Sequence, residues 1–150
     1  MAPLIVQIAA TLAARWFRPW RDAVRVGLAA MLAFTAASHF SPLRFDLAAM
    51  IPPPFTGNMA IIYVTGLLEL AGAVGLVLRR TRRAAAACLI ALLVAMFPAN
   101  AWAALNDVRL GGSAATPLWL RTPLQIFWIA ALAWSGLGGA KVPPGGQSLD

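Results

Sequence analysis

The sequence is poor in the groups that most enzymes use. Among its 150 residues there is one cysteine, one histidine and five acidic side chains, and charged residues make up only 11%, against roughly a quarter in an ordinary soluble domain. The lone Cys88 excludes an intramolecular disulfide and a CxxC dithiol. The lone His39 speaks against a histidine-rich metal or haem site, since a bis-histidine haem needs a second imidazole. No nucleophile, base and orienting group stand at readable spacing. GAVG at 72–75 is no phosphate loop, because it lacks the strand, the turn and the lysine. Whether the chain catalyses anything is left open.

What is abundant is apolar surface: 61% of the residues are hydrophobic. Four windows, at about 23–40, 59–78, 84–105 and 118–137, are long enough to cross a bilayer core of about 30 Å, which takes roughly 20 helical residues. The predicted fold is an all-α membrane protein, an antiparallel bundle of four transmembrane helices joined by short connections. Residues 1–22 precede the spans. Their start lacks the basic region of a secretory signal, and their apolar run stops at Arg15, so they read as a short interfacial helix with Trp16, Phe17 and Trp20 at headgroup depth. Residues 23–137 form the membrane domain, and 138–150 read as a disordered tail.

The net charge is +7, and RRTRR at 79–83 is a basic run of the kind that binds nucleic acid. Its place between two spans favours the positive-inside rule instead. Nine of the twelve basic residues, Arg15, Arg18, Arg21, Arg25, Arg79, Arg80, Arg82, Arg83 and Lys141, fall on one side; Arg44, Arg109 and Arg121 fall on the other. Both termini are therefore expected in the cytoplasm, with the lipid bilayer as partner and no nucleic acid. The connection 41–57 is apolar and proline-rich and is expected to fold back on the helices, whereas 106–117 is polar, contains glycine and is expected to be mobile.

Ionisable or polar groups inside spans are rare and functional by default. His39, Tyr63, Thr65, Glu69, Asn100, Arg121 and Gln125 are the candidates for a ligand-binding or polar centre. Counted from the outer end of its helix, Glu69 lies about 15 Å deep, Gln125 about 11 Å, Asn100 roughly 7 Å and Arg121 about 5 Å. Arg121 and Gln125, at i and i+4, share a helix face. Glu69 facing inward and paired with Arg121 is one reading, a neutral protonated Glu69 another. Pro98 and Pro123 lie beside these groups and favour kinks; Gly66, Gly72 and Gly75 are read as packing residues.

In order along the chain, HF at 39–40, IPPPF at 51–55, YVTGLLELAGAVGLVL at 63–78, RRTRRAAA at 79–86, FPANAWAAL at 97–105 and LRTPLQIFWIAALAW at 120–134 resemble the DoxX family of small bacterial membrane proteins. The resemblance implies four transmembrane helices in a bacterial cytoplasmic (inner) membrane. Its relatives include the membrane subunit of a thiosulfate:quinone oxidoreductase and a component of mycobacterial complexes that respond to oxidative stress. The expectation is an auxiliary or anchor subunit of a quinone-linked redox complex, with an oxidoreductase partner. His39, Tyr63, Asn100, Arg121 and Gln125 would supply hydrogen bonds to a quinone as possible cofactor. The alternatives are a homo-oligomeric transporter of protons or a small solute, working through Glu69, and a purely structural membrane protein.

Overall fold

The computed structural model describes residues 2–138, so the expected tail, with Lys141, lies outside the described residues apart from Gly138. The chain is mostly helical. Six α-helices, α1 (Ala2–Arg15), α2 (Trp20–Phe40), α3 (Arg44–Ala49), α4 (Met59–Val77), α5 (Arg82–Leu105) and α6 (Leu118–Leu132), are accompanied by two short strands, β1 (Arg109–Leu110) and β2 (Ser113–Ala114). Three of the helices, α2, α4 and α5, are long and apolar enough to cross a membrane. The fourth apolar window is divided: α6 gives way at Ala133 to a π-helical turn, Ala133–Leu137. The helix ends otherwise lie within a few residues of the four apolar windows.

Local chemistry sets these boundaries. Pro19 stands at the N-cap of α2, where its missing N–H costs nothing. Asn58 caps α4, its side chain accepting from the amides of Ala60 at 3.0 Å and Ile61 at 3.3 Å. In the turn after α4, Thr81 Oγ1 donates at 3.0 Å to the carbonyl of Gly75, one of the unpaired acceptors of the helix end.

Neighbouring long helices run antiparallel. Residues late in α2 meet residues early in α4, as with His39 and Gly66, and residues late in α4 meet residues early in α5, as with Gly75 and Ala85. Likewise Asn100 near the end of α5 meets Arg121 near the start of α6. The π-helical turn returns to α2, where Arg25 Nη1 donates to the carbonyl of Ser135 at 3.1 Å and Arg21 Nη1 to that of Gly138 at 3.2 Å. The ring of helices closes over a core of Leu28, Leu32, Leu76, Leu89 and Leu132.

Three segments differ from or sharpen the expectation. Within the segment expected to be an interfacial helix, residues 2–15 form α1, which packs on α2. α1 doubles back along α2 as a hairpin, with Thr11 and Gln7 seated against Gly27, and Gln7 Oε1 accepts from Trp128 Nε1 at 2.8 Å. The buried Gln7 is satisfied there by its bond across to α6. The connection 41–57 does fold back, with Ala48, Met50 and Ile51 buried and Ile62 packed on Ala48 and Ile51. The stretch 106–117, expected to be a mobile loop, forms the β1–β2 hairpin around Gly111 and Gly112, whose φ of 59° and 78° suit a tight turn. Asp46 of α3 fastens it by accepting from the Gly111 amide at 2.8 Å.

Gly66, Gly72 and Gly75 permit close approach, as read from the sequence. A Cβ on Gly72 would stand 2.6 Å from Cγ of the buried Leu89. Gly72→Ala should therefore cost about 1–3 kcal/mol, seen as a lower thermal midpoint in detergent, and should cost less when made in a Leu89→Ala background. An unchanged midpoint for Gly72→Ala would refute tight packing here.

Candidate functional site

Two polar clusters emerge where the sequence reading had one. The first lies between α2 and α4. Glu69 and His39 are both buried, and Thr35, one turn before His39 on the same face of α2, donates from Oγ1 to Glu69 Oε2 at 2.9 Å. His39 Nδ1 lies 3.2 Å from the carbonyl of Thr35. A carbonyl can only accept, so Nδ1 carries the proton, leaving Nε2 as acceptor in the neutral ring. Nδ1 stands 4.0 Å from Glu69 Oε2, beyond hydrogen-bond range but close enough for each group to feel the other's charge.

Gly66 makes this cluster possible. A Cβ there would lie 2.6 Å from His39 Cβ. Without one, the His39 side chain packs against α4 at Gly66, one turn before Glu69, and the two helices come close enough for Thr35 to reach the carboxyl group.

Thr35 also lies 3.0 Å from the carbonyl of Leu32, a second acceptor for its hydroxyl. One hydroxyl proton cannot serve both. With Glu69 ionised, Thr35 turns its proton to the carboxylate. With Glu69 protonated, the carboxyl O–H can donate to Thr35 Oγ1, while Thr35 donates to Leu32. Thr35 can therefore keep a hydrogen bond with Glu69 Oε2 in either protonation state from the same heavy atoms.

The second cluster joins α5 and α6. Arg121 Nη2 donates to Asn100 Oδ1 at 2.5 Å, and Gln125 Nε2 donates to the carbonyl of Leu93 at 2.7 Å. Pro98 lies inside α5 as expected, but the carbonyl that Gln125 uses is that of Leu93, one residue before the carbonyl that Pro98 leaves free. The pairing of Glu69 with Arg121 does not occur: each finds a neutral partner on the helix next to its own, and neither needs the other.

The remaining candidates stand apart. Tyr63 is partly exposed and stacks on Phe40, ring centroids 6.1 Å apart, pointing away from Glu69. Thr65 donates to its own helix, to the carbonyl of Ile61 at 2.8 Å. Two cavities lie elsewhere: an apolar groove of about 480 Å³ lined by residues such as Gln7, Leu12, Trp20 and Phe127, and a polar one of about 230 Å³ lined by arginines. Thr35 is the member of the first cluster that sequence reasoning missed. Its spacing to His39 was the available signal, but a threonine in an apolar helix commonly bonds its own backbone.

The geometry makes a double-mutant cycle decisive. Thr35→Val and Glu69→Leu should couple by about 0.5–3 kcal/mol, whereas Arg121→Leu and Glu69→Leu should add within about 0.5 kcal/mol, as for sites without a shared partner. Unfolding of the purified variants in detergent measures both. Additivity at Thr35 with coupling at Arg121 would reverse the assignment.

A model of the family described as a domain of unknown function (DUF8561) matches residues 28–136, a stretch that contains both clusters. No curated protein and no solved structure matches the chain. The DoxX resemblance is thereby overturned. It rested on short runs of Ala, Leu and Gly punctuated by Pro or an aromatic residue, which close helix packing in an apolar protein selects by itself. With more than half of its length matched, the chain belongs to the DUF8561 family.

Proposed function

We propose that the chain is a multi-pass membrane protein with four spans, α2, α4, α5 and the run from α6 through the π-helical turn, and that Thr35, Glu69 and His39 form a proton-binding centre serving transport of protons or a small solute. The membrane placement is supported by three helices of spanning length and by the large apolar side chains on their outer surfaces, among them Val64, Leu67, Leu68, Val74 and Val94. In water this surface would be costly; in lipid it is matched. Support for a fourth span is the unbroken helical stretch from Leu118 to Leu137, 15 residues of α-helix followed by 5 of π-helix, or about 30 Å of helix. The arginines of the first turns of α2 and of the α4–α5 turn gather at one end, which the positive-inside rule assigns to the cytoplasm.

The observation that carries the proton reading is the double set of acceptors around Thr35. A carboxyl group that keeps its bond to Thr35 in both states can gain and lose a proton without breaking that contact. Counted from Met59, Glu69 lies about 15 Å along α4, near mid-membrane. Four spans enclose little space, so a passage for solute would form between copies of the chain.

A second reading, a subunit holding a quinone for a redox partner, draws on Arg121: one of its five N–H donors is committed to Asn100, and others remain for a ligand carbonyl.

In vesicles the wild-type protein should carry protons down an imposed gradient, Glu69→Gln should abolish that flux, and a carboxyl stretch in the infrared spectrum should titrate in the wild type and vanish in the variant. Equal flux in both proteins would sink the proton reading. A reporter fused after Arg83 should signal from the cytoplasm, and an external signal would overturn the orientation.

A further inference from the structure

The arginine-lined cavity is unused by the proton-binding centre. It lies at the other end of the helices, about 230 Å³ in volume, bounded by Arg18 ahead of α2, Asp22, Arg25 and Val26 of α2, Val77 at the end of α4, Arg79 in the following turn and Arg82 at the start of α5. Four guanidinium groups and one carboxylate leave a net charge of +3 on its lining. The carboxylate is already committed, because Asp22 pairs with Arg25. Arg25 is further pinned by its bond to the Ser135 carbonyl. Among the described residues, the guanidinium groups of Arg18, Arg79 and Arg82 take no carboxylate partner and no hydrogen bond.

The positive-inside rule asks that arginines lie on this side of the membrane, and any arrangement satisfies it. It does not ask that they converge. Arg80 and Arg83, beside them in sequence, line no part of the cavity. Arg79 and Arg82 do line it, opposite Arg18 and a buried Arg25. Thr81 leaves the N-terminus of α5 without a side-chain cap, so the helix adds its own positive end to the same field. Planar donors converging on a concave, positively charged space match the oxygens of a phosphate group. Val26 and Val77 add an apolar part to the cavity lining, which suits a diester with acyl chains.

We propose that this cavity is a binding site for a phosphate group, held by Arg18, Arg79 and Arg82 and positioned by the Asp22–Arg25 pair. The group belongs either to the headgroup of an anionic phospholipid or to free phosphate. The lipid source rests on the membrane placement proposed above and is independent of the proton role of Glu69.

The test compares two double variants of equal charge, Arg79→Gln with Arg82→Gln and Arg80→Gln with Arg83→Gln, each shown by circular dichroism and gel filtration to keep the wild-type fold. The proteins are placed in nanodiscs of mixed phosphatidylglycerol and phosphatidylcholine, and the lipids they retain are counted by native mass spectrometry. Separately, inorganic phosphate is titrated into detergent-solubilised protein by calorimetry. The wild type and the 80/83 variant should prefer phosphatidylglycerol, and the 79/82 variant should lose that preference by about tenfold or more. Phosphate binding without lipid preference, lost in the 79/82 variant alone, would support the site and name free phosphate as its source. An equal loss in both variants would reduce the effect to diffuse charge and overturn the proposal, as would a wild type that binds neither. Failure to enter nanodiscs would instead count against the membrane placement, while the calorimetric arm would still read the cavity.

Discussion

The close approach of α2 to α4 at Gly66 is the constraint on which the polar interior depends. A carboxyl group inside an apolar helix assembly is costly unless hydrogen-bond partners meet it. Those partners come from α2, and they reach Glu69 only because a glycine lets the His39 side chain pack against α4. The same approach buries Leu28 and Leu32 against Ala73 and Leu76, so packing and polar satisfaction are won by one contact. Helix separation and the state of the carboxyl group are thus tied together.

Away from that contact, polar side chains inside the fold also find partners, most of them on another helix. Gln7 is met by Trp128, Gln125 by the Leu93 carbonyl, Arg121 by Asn100 and Arg25 by Asp22 and the Ser135 carbonyl. No buried side-chain nitrogen or oxygen among the described residues lacks a hydrogen-bond partner. These bonds stitch α1 to α6, α5 to α6 and α2 to the π-helical turn. They act as directional ties in a core whose apolar contacts specify distance but little orientation. The π-helical turn fits this scheme: Ser135 there donates to the Ala131 carbonyl at 2.6 Å and offers its own carbonyl to Arg25.

Charge is sorted along the helices in the same way. Arg21 and Arg25 reach across to the last residues of the helical run that begins with α6, and Arg21 also lies over the Trp134 ring. At the opposite end, Asp46 of α3 takes the Gly111 amide and holds the β1–β2 hairpin over the helix ends. One end is a concave arginine surface; the other is capped by short elements built from the two connections.

The extents of the long helices were legible from the sequence because runs of apolar residues are a local property. The packing role of Gly72 and Gly75, and the burial of the apolar connection 41–57, followed from composition in the same way. Partnership was not legible. Glu69 and Arg121 are opposite charges at compatible depths, and depth alone pairs them, but depth says nothing about which helix faces which. Glu69 turns to α2 and Arg121 to α5, because neighbours in the ring of helices are also neighbours in sequence. Nor could an apolar run ending at Arg15 reveal that α1 would fold back along α2, since that depends on distant contacts, Gln7 and Thr11 against Gly27 and Gln7 against Trp128. The sequence by itself determined which segments are helical and which residues are too polar to face an apolar surroundings alone, since both are properties of short stretches. Only the tertiary structure decided which of those residues meet, since a hydrogen bond needs its two ends within about 3 Å, and helix rotation and register set that distance.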